Sequence, residues 1–276
     1  MRDPTLNAPS LWLPRFPWPA PGGHKHDRGR LYVVSGGVSH TGAARLAARA
    51  GLRIGAGLVT LLCPPPALLV NAAHLEAVMV RAFKGPDDLV AKAELASAVV
   101  IGPAAGVGEA TAANVLALTA TEAALVLDAD ALTSFQGDPE RLFAALSDRH
   151  VLTPHAGEFE RLFPNLINHI GREAAAREAA KRCGAVVLLK GEDTVIAHPD
   201  GAAILNRHAS PFLATAGSGD VLAGMIGGLL AQGMAPLDAA SAAAWMHGDA
   251  GRRFGPGLIA EDLPDIIPAV LRGLLA

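Results

Sequence analysis

The chain has 276 residues, a formal net charge of −3 and 51% hydrophobic residues. That length accommodates one large hydrophobic core, while the slightly acidic balance without a cluster of lysine and arginine argues against a nucleic-acid partner. No apolar run reaches the roughly 20 residues of a membrane-spanning helix, and no signal peptide begins the chain, so we expect no membrane partner and a cytoplasmic location.

The N-terminal segment, residues 1–24, is rich in proline and contains Trp12 and Trp18. Such a density of proline is incompatible with a helix. We predict an irregular arm that packs over the body of the protein or over a neighbouring subunit, and its apolar character leads us to expect a homo-oligomer. Residues 25–276 are predicted to form a single domain.

From residue 31 onwards, short apolar runs alternate with helix-like segments. The apolar runs cover residues 31–34, 57–62, 98–101, 125–128, 151–154 and 186–190, and the helix-like segments include 41–54 and 220–232. Continuous β-branched runs between helices are typical of a parallel sheet covered on both faces. We therefore predict an α/β three-layer sandwich with a mostly parallel central sheet and helices on both faces. A hairpin is predicted over 195–206 around Pro199-Asp200-Gly201.

The carboxyl ends of the predicted strands carry small or polar residues, namely Gly36, Gly102, Asp128, Thr153 and Lys190. In open α/β sheets, ligands bind at the carboxyl ends of the strands. Together these residues therefore predict one functional rim. Any one of them alone is also explained as a turn between a strand and a helix.

The most informative motif is Gly217-Ser218-Gly219-Asp220, which opens a long helix. Glycine lets backbone N–H groups converge, and the positive end of the helix points at the same place, so the turn is suited to hold a phosphoryl group. We expect the helix end to keep Asp220 ionised and able to accept a proton from a substrate hydroxyl. The competing interpretation is an aspartate cap after a glycine turn.

A second motif, Lys190-Gly191-Glu192-Asp193-Thr194, follows an earlier strand. Its glycine and its lysine and threonine donors suit a nucleotide phosphate or ribose, although a β-turn explains the segment equally well. The chain has no Gly-x-Gly-x-x-Gly fingerprint and no Walker A sequence. Nucleotide binding is therefore predicted at this segment and the glycine turn.

Three further polar side chains stand at strand ends. His155 follows Thr153-Pro154, where it can hydrogen-bond a substrate or serve the structure alone. Asp128 and Asp130 can hold Mg²⁺ through water or cap the following helix. The residues themselves assign no magnesium ligand.

Taken in chain order, these motifs resemble the ADP-dependent NAD(P)H-hydrate dehydratase family of the ribokinase-like superfamily. The matching segments are His24-Lys25 to Gly29, Gly36-Gly37, Thr41-Gly42-Ala43, Gly55 to Thr60, Ile101-Gly102-Pro103, Asp128 to Leu132, Thr153 to Glu158, Leu189-Lys190-Gly191, Ala214 to Gly224 and His247-Gly248. Gly-Ser/Thr-Gly-Asp alone suits any kinase of the superfamily. Thr-Pro-His-x-Gly-Glu and Asp-Ala-Asp-Ala-Leu narrow the resemblance to this family, which implies a ribokinase-like catalytic domain.

The resemblance implies repair of damaged nicotinamide cofactors. The substrates would be NADHX and NADPHX, the hydrates of NADH and NADPH, with ADP as co-substrate and Mg²⁺ assisting. Phosphorylation of the ring hydroxyl makes it a good leaving group, so elimination restores NADH or NADPH and leaves AMP and phosphate. Many family members also carry an epimerase domain that this chain is too short to include, so we expect a stand-alone dehydratase and a separate epimerase.

The resemblance also implies roles for individual residues. Substrate contacts would come from Ala43, Gly106, His155 and Asp220. Asp220 would be the base, and the backbone of the turn that includes Gly217, Ser218 and Gly219 would stabilise the transferring group. Adenine-nucleotide contacts would come from Lys190, Gly191, Glu192, Asp193, Thr194 and Gly219.

One loop departs from the family pattern. The family has Gly-Pro-Gly-Leu-Gly where this chain has Gly102-Pro103-Ala104-Ala105-Gly106. A positive φ at Ala104 would strain or reshape the loop, which bears on the substrate contact implied for Gly106.

Two alternative functions stay open. A small-molecule kinase of the same superfamily, similar to hydroxymethylpyrimidine or hydroxyethylthiazole kinases, would share Asp220 and the anion hole but release a stable phosphoester. A nucleotide-binding regulatory module without catalysis would be favoured by a missing base, and Asp220 is present.

Overall fold

The apolar runs of the sequence become neighbouring strands of one sheet in the computed structural model, which describes residues 4–275. Met1 to Asp3 and Ala276, which the predicted arm and domain include, lie outside the described residues. The strands are β1 (Thr5–Leu6), β2 (Arg30–Val34), β3 (Leu58–Cys63), β4 (Met79–Ala82), β5 (Ala98–Ile101), β6 (Ala124–Leu127), β7 (Val151–Leu152), β8 (Val186–Leu189), β9 (Thr194–Ala197) and β10 (Ala203–Asn206).

Within residues 4–275 the sheet has ten strands in the order β1-β10-β9-β8-β7-β6-β5-β2-β3-β4. Neighbouring strands run parallel, except that β9 is antiparallel to both β8 and β10. The predicted mostly parallel sheet and the predicted hairpin are therefore both confirmed.

Helices cover both faces of this sheet. They are α1 (Gly42–Arg53), α2 (Leu68–Ala73), α3 (Gly85–Lys92), α4 (Glu109–Thr119), α5 (Asp130–Thr133), α6 (Pro139–Phe143), α7 (Ala156–Leu162), α8 (Leu166–Ile170), α9 (Arg172–Cys183), α10 (Ser218–Ala231), α11 (Pro236–Phe254) and α12 (Leu263–Leu275). The predicted helix 220–232 thus begins earlier, at Ser218, so the glycine turn and the helix are continuous.

The side chains of each strand alternate between two apolar cores. In β2, Leu31 and Val33 belong to the core formed with α1, α10, α11 and α12. Tyr32 and Val34 belong to the opposite core, formed with α3, α4, α7 and α9. A strand buried on both faces needs a continuous apolar run, which is what the sequence shows. The predicted three-layer sandwich is confirmed.

Helices α1 and α10 pack closely because glycines face the contact. A Cβ at Gly224 would overlap the backbone of Ala47, and a Cβ at Gly228 would overlap the side chain of Ile54. At the other end, a Cβ at Gly217 would come within 2.8 Å of Leu46 Cδ1. The two helices therefore run in the same direction, and both N-termini lie at the carboxyl ends of the strands.

The N-terminal segment is more regular than predicted. Thr5–Leu6 adds a parallel edge strand to β10, and Trp12 is completely buried in the core. Asn7 Nδ2 donates to Asn206 Oδ1 at 2.9 Å and to Ser241 O at 2.8 Å. The segment thus packs on the body of its own chain. The division at residue 24 and the homo-oligomer stay predictions.

Edge strand β4 was not predicted from the sequence. Its side chains alternate between exposed and half-buried, and the short apolar run from Ala77 to Val80 that leads into it was not interpreted as a strand. Cys63 and Cys183 are both unpaired and buried. Within residues 4–275, no helix is long and apolar enough to cross a membrane.

Candidate active site

The carboxyl ends of β6, β7 and β8 bring three predicted rim residues into contact. Thr153 Oγ1 donates to Asp128 Oδ1 at 2.9 Å, and Lys190 Nζ donates to the same oxygen at 2.8 Å. Asp128 is almost fully buried, so its charge depends on these two donors. The rim is therefore a connected polar network rather than a series of independent turns.

The N-terminus of α10 lies beside this network. Gly217 adopts a left-handed conformation with φ of 88°, which glycine reaches without strain. The N–H of Ser218 donates to Thr215 O at 3.3 Å, and the N–H of Val221 donates to Gly217 O at 3.2 Å. Within residues 4–275, the N–H groups of Ala216, Gly217, Gly219 and Asp220 have no such partner, so the amides of this turn remain for an anion.

Asp220 is half-buried at the first turn of α10. Burial is the main cause that raises the pKa of this carboxyl to about 6; the negative charge of Asp128 raises it further, while Lys190 opposes both. The sequence suggested that the helix end would keep Asp220 ionised, and the structure shows a stronger influence in the other direction. The carboxylate nevertheless predominates at neutral pH, as a general base requires.

Lys190 is the cation at the centre of the network. Its Nζ lies 2.8 Å from Asp128 Oδ1 and 3.9 Å from Glu158 Oε2. Burial by itself lowers the pKa of Lys190, but Asp128, Glu158 and Asp220 together raise it above its usual value. Lys190 is therefore charged. This residue, predicted as a nucleotide contact, is already paired with the rim carboxylates.

His155 forms the N-terminal cap of α7. Its Nδ1 accepts hydrogen bonds from the N–H groups of Gly157 at 2.9 Å and Glu158 at 3.2 Å. In return, the N–H of His155 donates to Glu158 Oε2 at 2.8 Å, which completes a capping box. Nδ1 is consequently the acceptor, and Nε2 carries the hydrogen and lies 3.3 Å from Glu158 Oε1, while the side chain remains half-exposed at the rim.

The loop from Gly102 to Gly106, which departs from the family pattern, has positive φ angles in its backbone. Ala104 has φ of 54° and Gly106 has φ of 90°, so the alanine occupies the left-handed region at a cost of about 1 kcal/mol. The N–H of Gly106 donates to Asp130 Oδ2 at 2.8 Å. Asp130 thereby holds this loop, and neither Asp130 nor Asp128 caps α5 with its side chain.

A cavity of about 840 Å³ opens beside the glycine turn. Its lining includes every predicted nucleotide contact, namely Lys190, Gly191, Glu192, Asp193, Thr194 and Gly219. This volume is typical of small-molecule sites. The lining also includes Thr215, Ser218 and His247; of these, His247 was noted only as part of a motif, because α11 is too distant in sequence to be assigned to the site.

The predicted substrate contacts lie apart from this cavity. Of the described residues, those that line it do not include Ala43, Gly106, His155 or Asp220, although Asp220 directly follows Gly219, which does. Ala43 stands in the first turn of α1, whose N-terminus lies next to Gly217. The candidate site thus has two sides that meet at Gly219 and Asp220, one facing the cavity and one facing the rim.

No group of three histidine, cysteine, aspartate or glutamate side chains within residues 4–275 could hold a metal ion. The rim carboxylates are each engaged by a protein donor: Asp128 by Lys190, Glu158 by His155 and Asp130 by Gly106. Such a site suits only an ion that takes most of its ligands from substrate phosphates and water, which is the usual habit of Mg²⁺.

Sequence comparison places the chain among proteins of one kind. The profile of a family described as NAD(P)H-hydrate dehydratase matches residues 31–268. An ADP-dependent (S)-NAD(P)H-hydrate dehydratase of Xanthomonas campestris is 37% identical over 92% of this chain and 92% of its own length. A bifunctional NAD(P)H-hydrate repair enzyme of Salinibacter ruber is 38% identical over 98% of this chain, which spans 52% of that relative. The chain thus covers about half the length of its bifunctional relatives.

Structural comparison gives a consistent result. A crystal structure of the ADP/ATP-dependent NAD(P)H-hydrate dehydratase from Bacillus subtilis, co-crystallized with ATP/Mg²⁺, has a TM-score of 0.84 and 26% identity, and the match covers 99% of this chain and 100% of that chain. A ribokinase-like superfamily protein from Enterococcus faecalis has a TM-score of 0.81 and 25% identity, covering 94% of this chain and 92% of that chain. The predicted ribokinase-like fold is confirmed.

Proposed function

The chain belongs to the NAD(P)H-hydrate dehydratase family, and we propose that it restores NADH and NADPH from their hydrates with ADP as the phosphoryl donor. The single observation that carries the proposal is the position of Asp220. Its carboxyl group, with a pKa of about 6 that depends on Asp128 and Lys190 of the polar rim, stands at the N-terminus of α10 and directly follows Gly219, which lines the cavity of predicted nucleotide contacts.

The first step transfers a phosphoryl group to the hydroxyl of the hydrated ring. Asp220 accepts the hydroxyl proton as the ring oxygen forms a bond to the terminal phosphorus of ADP and the bridging P–O bond breaks, leaving AMP. The N–H groups of Gly219 and Asp220 face the negative charge that spreads over the transferring group. This step explains why the base and the anion hole belong to the same helix turn.

The second step is elimination. The ring C–O bond breaks, phosphate leaves with the bonding electrons, and a proton leaves the neighbouring ring carbon, so that the double bond of NADH or NADPH re-forms. Water is thus removed overall, while ADP becomes AMP and phosphate. Phosphate is a far better leaving group than hydroxide, which is the reason for the first step.

The rim network supports Asp220 as the base through its charges and hydrogen bonds. Lys190 offsets part of the repulsion between Asp128 and Asp220, and Thr153 and Lys190 keep Asp128 charged within the protein. His155 holds Glu158 beside Lys190 through the cap of α7. We infer that His155, whose side chain is half-exposed, contacts the hydrated nicotinamide together with Ala43 and Gly106.

Mg²⁺ is proposed as the accompanying ion. It would supply positive charge to the phosphates of the donor, held by those phosphates and water within reach of the carboxylates of Asp128 and Asp220. ADP as donor, a homo-oligomer, a separate epimerase and a cytoplasmic location are likewise proposals. The names of the relatives support ADP as the donor, and the B. subtilis protein is described as ADP/ATP-dependent.

The test is the absorbance of NADH when the purified protein meets hydrated NADH, Mg²⁺ and ADP. We expect a rise that requires ADP, with AMP formed in equal amount. A rise with ATP but not with ADP would support the dehydration reaction and refute ADP as the phosphoryl donor. No rise with either nucleotide, together with a stable phosphoester from a hydroxymethyl substrate, would replace the proposal by the kinase. Nucleotide binding without any turnover would favour the regulatory module.

A further inference from the structure

His247 lies beneath the anion hole, in α11. It is 7% exposed, and its Nε2 lies 3.0 Å from Ser218 O and 3.1 Å from Ser218 Oγ. A carbonyl oxygen can only accept a hydrogen bond. Nε2 therefore carries a hydrogen that it donates to the first residue of α10, and it does so from a helix 29 positions away in sequence.

The imidazole of His247 is neutral. Burial is the main cause that lowers its pKa to about 4, the bond to Ser218 opposes this, and the charge of Lys190 lowers the pKa further. With one hydrogen on the ring and Nε2 holding it, Nδ1 is bare. The ring is thus fixed in a single tautomer at every pH at which a cytoplasmic enzyme works.

This tautomer determines the direction of the Ser218 hydroxyl. Because Nε2–H points at Ser218, Oγ accepts from the ring and cannot donate its own hydrogen to it. The N–H of Ser218 is already bound to Thr215 O. Since Ser218 lines the cavity, the hydroxyl hydrogen is the one donor that this residue can direct towards a phosphate there.

Helix α11 is held firmly enough to set this geometry. A Cβ at Gly248 would overlap the carbonyl oxygen of His208, so the helix lies directly against that segment. The ring of His208 stacks on Trp245 with centroids 4.3 Å apart, and its Nε2 lies 3.1 Å from Asp249 Oδ1. The contacts of the residues that flank His247 therefore hold α11, and with it the imidazole ring of His247, in place.

We propose that His247 is a positioning residue, which orients the Ser218 hydroxyl as a hydrogen-bond donor to the phosphoryl group that is transferred. The inference rests on the proposed function for the identity of the reaction. It adds a side-chain donor, the Ser218 hydroxyl, to the backbone N–H groups of the turn. Although His247 also lines the cavity, its Nε2–H is directed at Ser218, so in this role it acts on the phosphate through the serine.

The test compares His247→Leu, His247→Gln and Ser218→Ala in turnover of hydrated NADH with ADP. We expect His247→Leu and Ser218→Ala each to lower kcat about 10- to 100-fold, the range for one hydrogen bond to a charged group, with a smaller change in KM for ADP. His247→Gln, whose side-chain amide can donate in place of Nε2–H, should recover most of kcat. Because the histidine acts through the serine, the double variant should be no slower than the slower single variant.

A matched control separates positioning from stability. His150 is also completely buried, and its Nδ1 accepts from the N–H of Leu125 at 3.2 Å, at the end of the sheet away from the rim. His150→Leu should lower Tm without lowering kcat. Effects of His247→Leu and Ser218→Ala that multiply, or a kcat for His247→Leu that equals the wild-type value, would overturn the proposal.

An experiment without turnover keeps the inference distinct from the proposed reaction. Nitrogen-15 NMR of the wild-type imidazoles should show His247 as the neutral Nε2–H tautomer from pH 5.5 to 8, values chosen to lie above its pKa of about 4. ADP affinity should fall in His247→Leu and recover in His247→Gln, whether or not hydrated NADH is turned over. A Nδ1–H tautomer would refute the role of His247 even in an active dehydratase.

Discussion

Burial and the positive charge of Lys190 act in opposite directions on the pKa of the Asp220 carboxyl group. Burial and the nearby Asp128 raise its pKa to about 6, and Lys190 limits the rise. A base with a pKa near the working pH is mostly ionised and still takes a proton readily. The same environment makes the charged form costly to the fold, because a buried carboxylate is poorly solvated.

Asp220→Asn should remove turnover while leaving ADP binding within a few-fold. The amide cannot accept the hydroxyl proton, whereas the N–H groups of the turn remain. The measurements are the NADH absorbance assay and ADP titration by calorimetry. Asp148→Asn is the control, because Asp148 is exposed and precedes β7 at the other end of the sheet. If Asp220→Asn retained activity, a group other than Asp220 would have to be the base.

The pH profile follows from the pKa of Asp220. Since the ionised carboxyl is the active form, kcat/KM should rise tenfold per unit below pH 6 and level off above about 6. Asp128→Asn removes the like charge that helps to raise this pKa, so its acid limb should move to lower pH. A profile that is flat from pH 5 to 8, or a limb that moves upwards in Asp128→Asn, would contradict this assignment.

At the scale of elements, the contact between α1 and α10 decides where the base stands. Gly224 and Gly228 allow α10 to lie against Ala47 and Ile54, and the two N-termini then share one end of the sheet. Larger side chains would push α10 outwards and move the glycine turn away from the rim. The small residues at the contact between α1 and α10 are therefore required for the geometry of the site.

Gly224→Ala should destabilise the fold by about 2–3 kcal/mol, because the added methyl group meets backbone and not a flexible side chain. We expect a lower midpoint in urea unfolding and a lower kcat together. Gly42→Ala is the control for stability: a Cβ there has nothing within 4 Å, and alanine is the better helix former. Equal unfolding midpoints for the two variants would show that the contact is looser than the structure implies.

Strands with continuous apolar runs were predictable from sequence, and edge strands were not. The runs of β2, β5 and β8 are buried on both faces, whereas β1 and β4 carry exposed side chains. The position of the glycine turn was predictable because it combines a turn and a helix start in one motif.

The partners of the site residues were not predictable in the same way. Lys190 and Asp128 are 62 positions apart, and His247 and Ser218 are 29 apart. Only the order of strands and the packing of α11 bring each pair together. The sequence therefore indicated which residues carry chemistry, while the pKa of Asp220 and the tautomer of His247 depend on the folded neighbourhood.

For the whole molecule, the N-terminal segment is part of the stable core. Trp12 is completely buried between Phe16 and Trp245, so Trp12→Ala should cost about 3–5 kcal/mol. Trp18→Ala, at a half-buried position, should cost less. Chemical denaturation followed by far-UV circular dichroism measures both. A Trp12→Ala protein as stable as the wild type would mean that the segment detaches without loss.

The edge strand β1 also has a consequence for the time course of folding. Asn7 binds Asn206, which comes 199 positions later, and Ser241, which comes 234 positions later. Contacts of such sequence separation close the largest loops and form slowly. On the ribosome, residues 5–16 leave the exit tunnel before β10 and α11, yet they have no partner until both have been made. This segment is thus among the last parts to dock, and until then Trp12 lacks its place in the core.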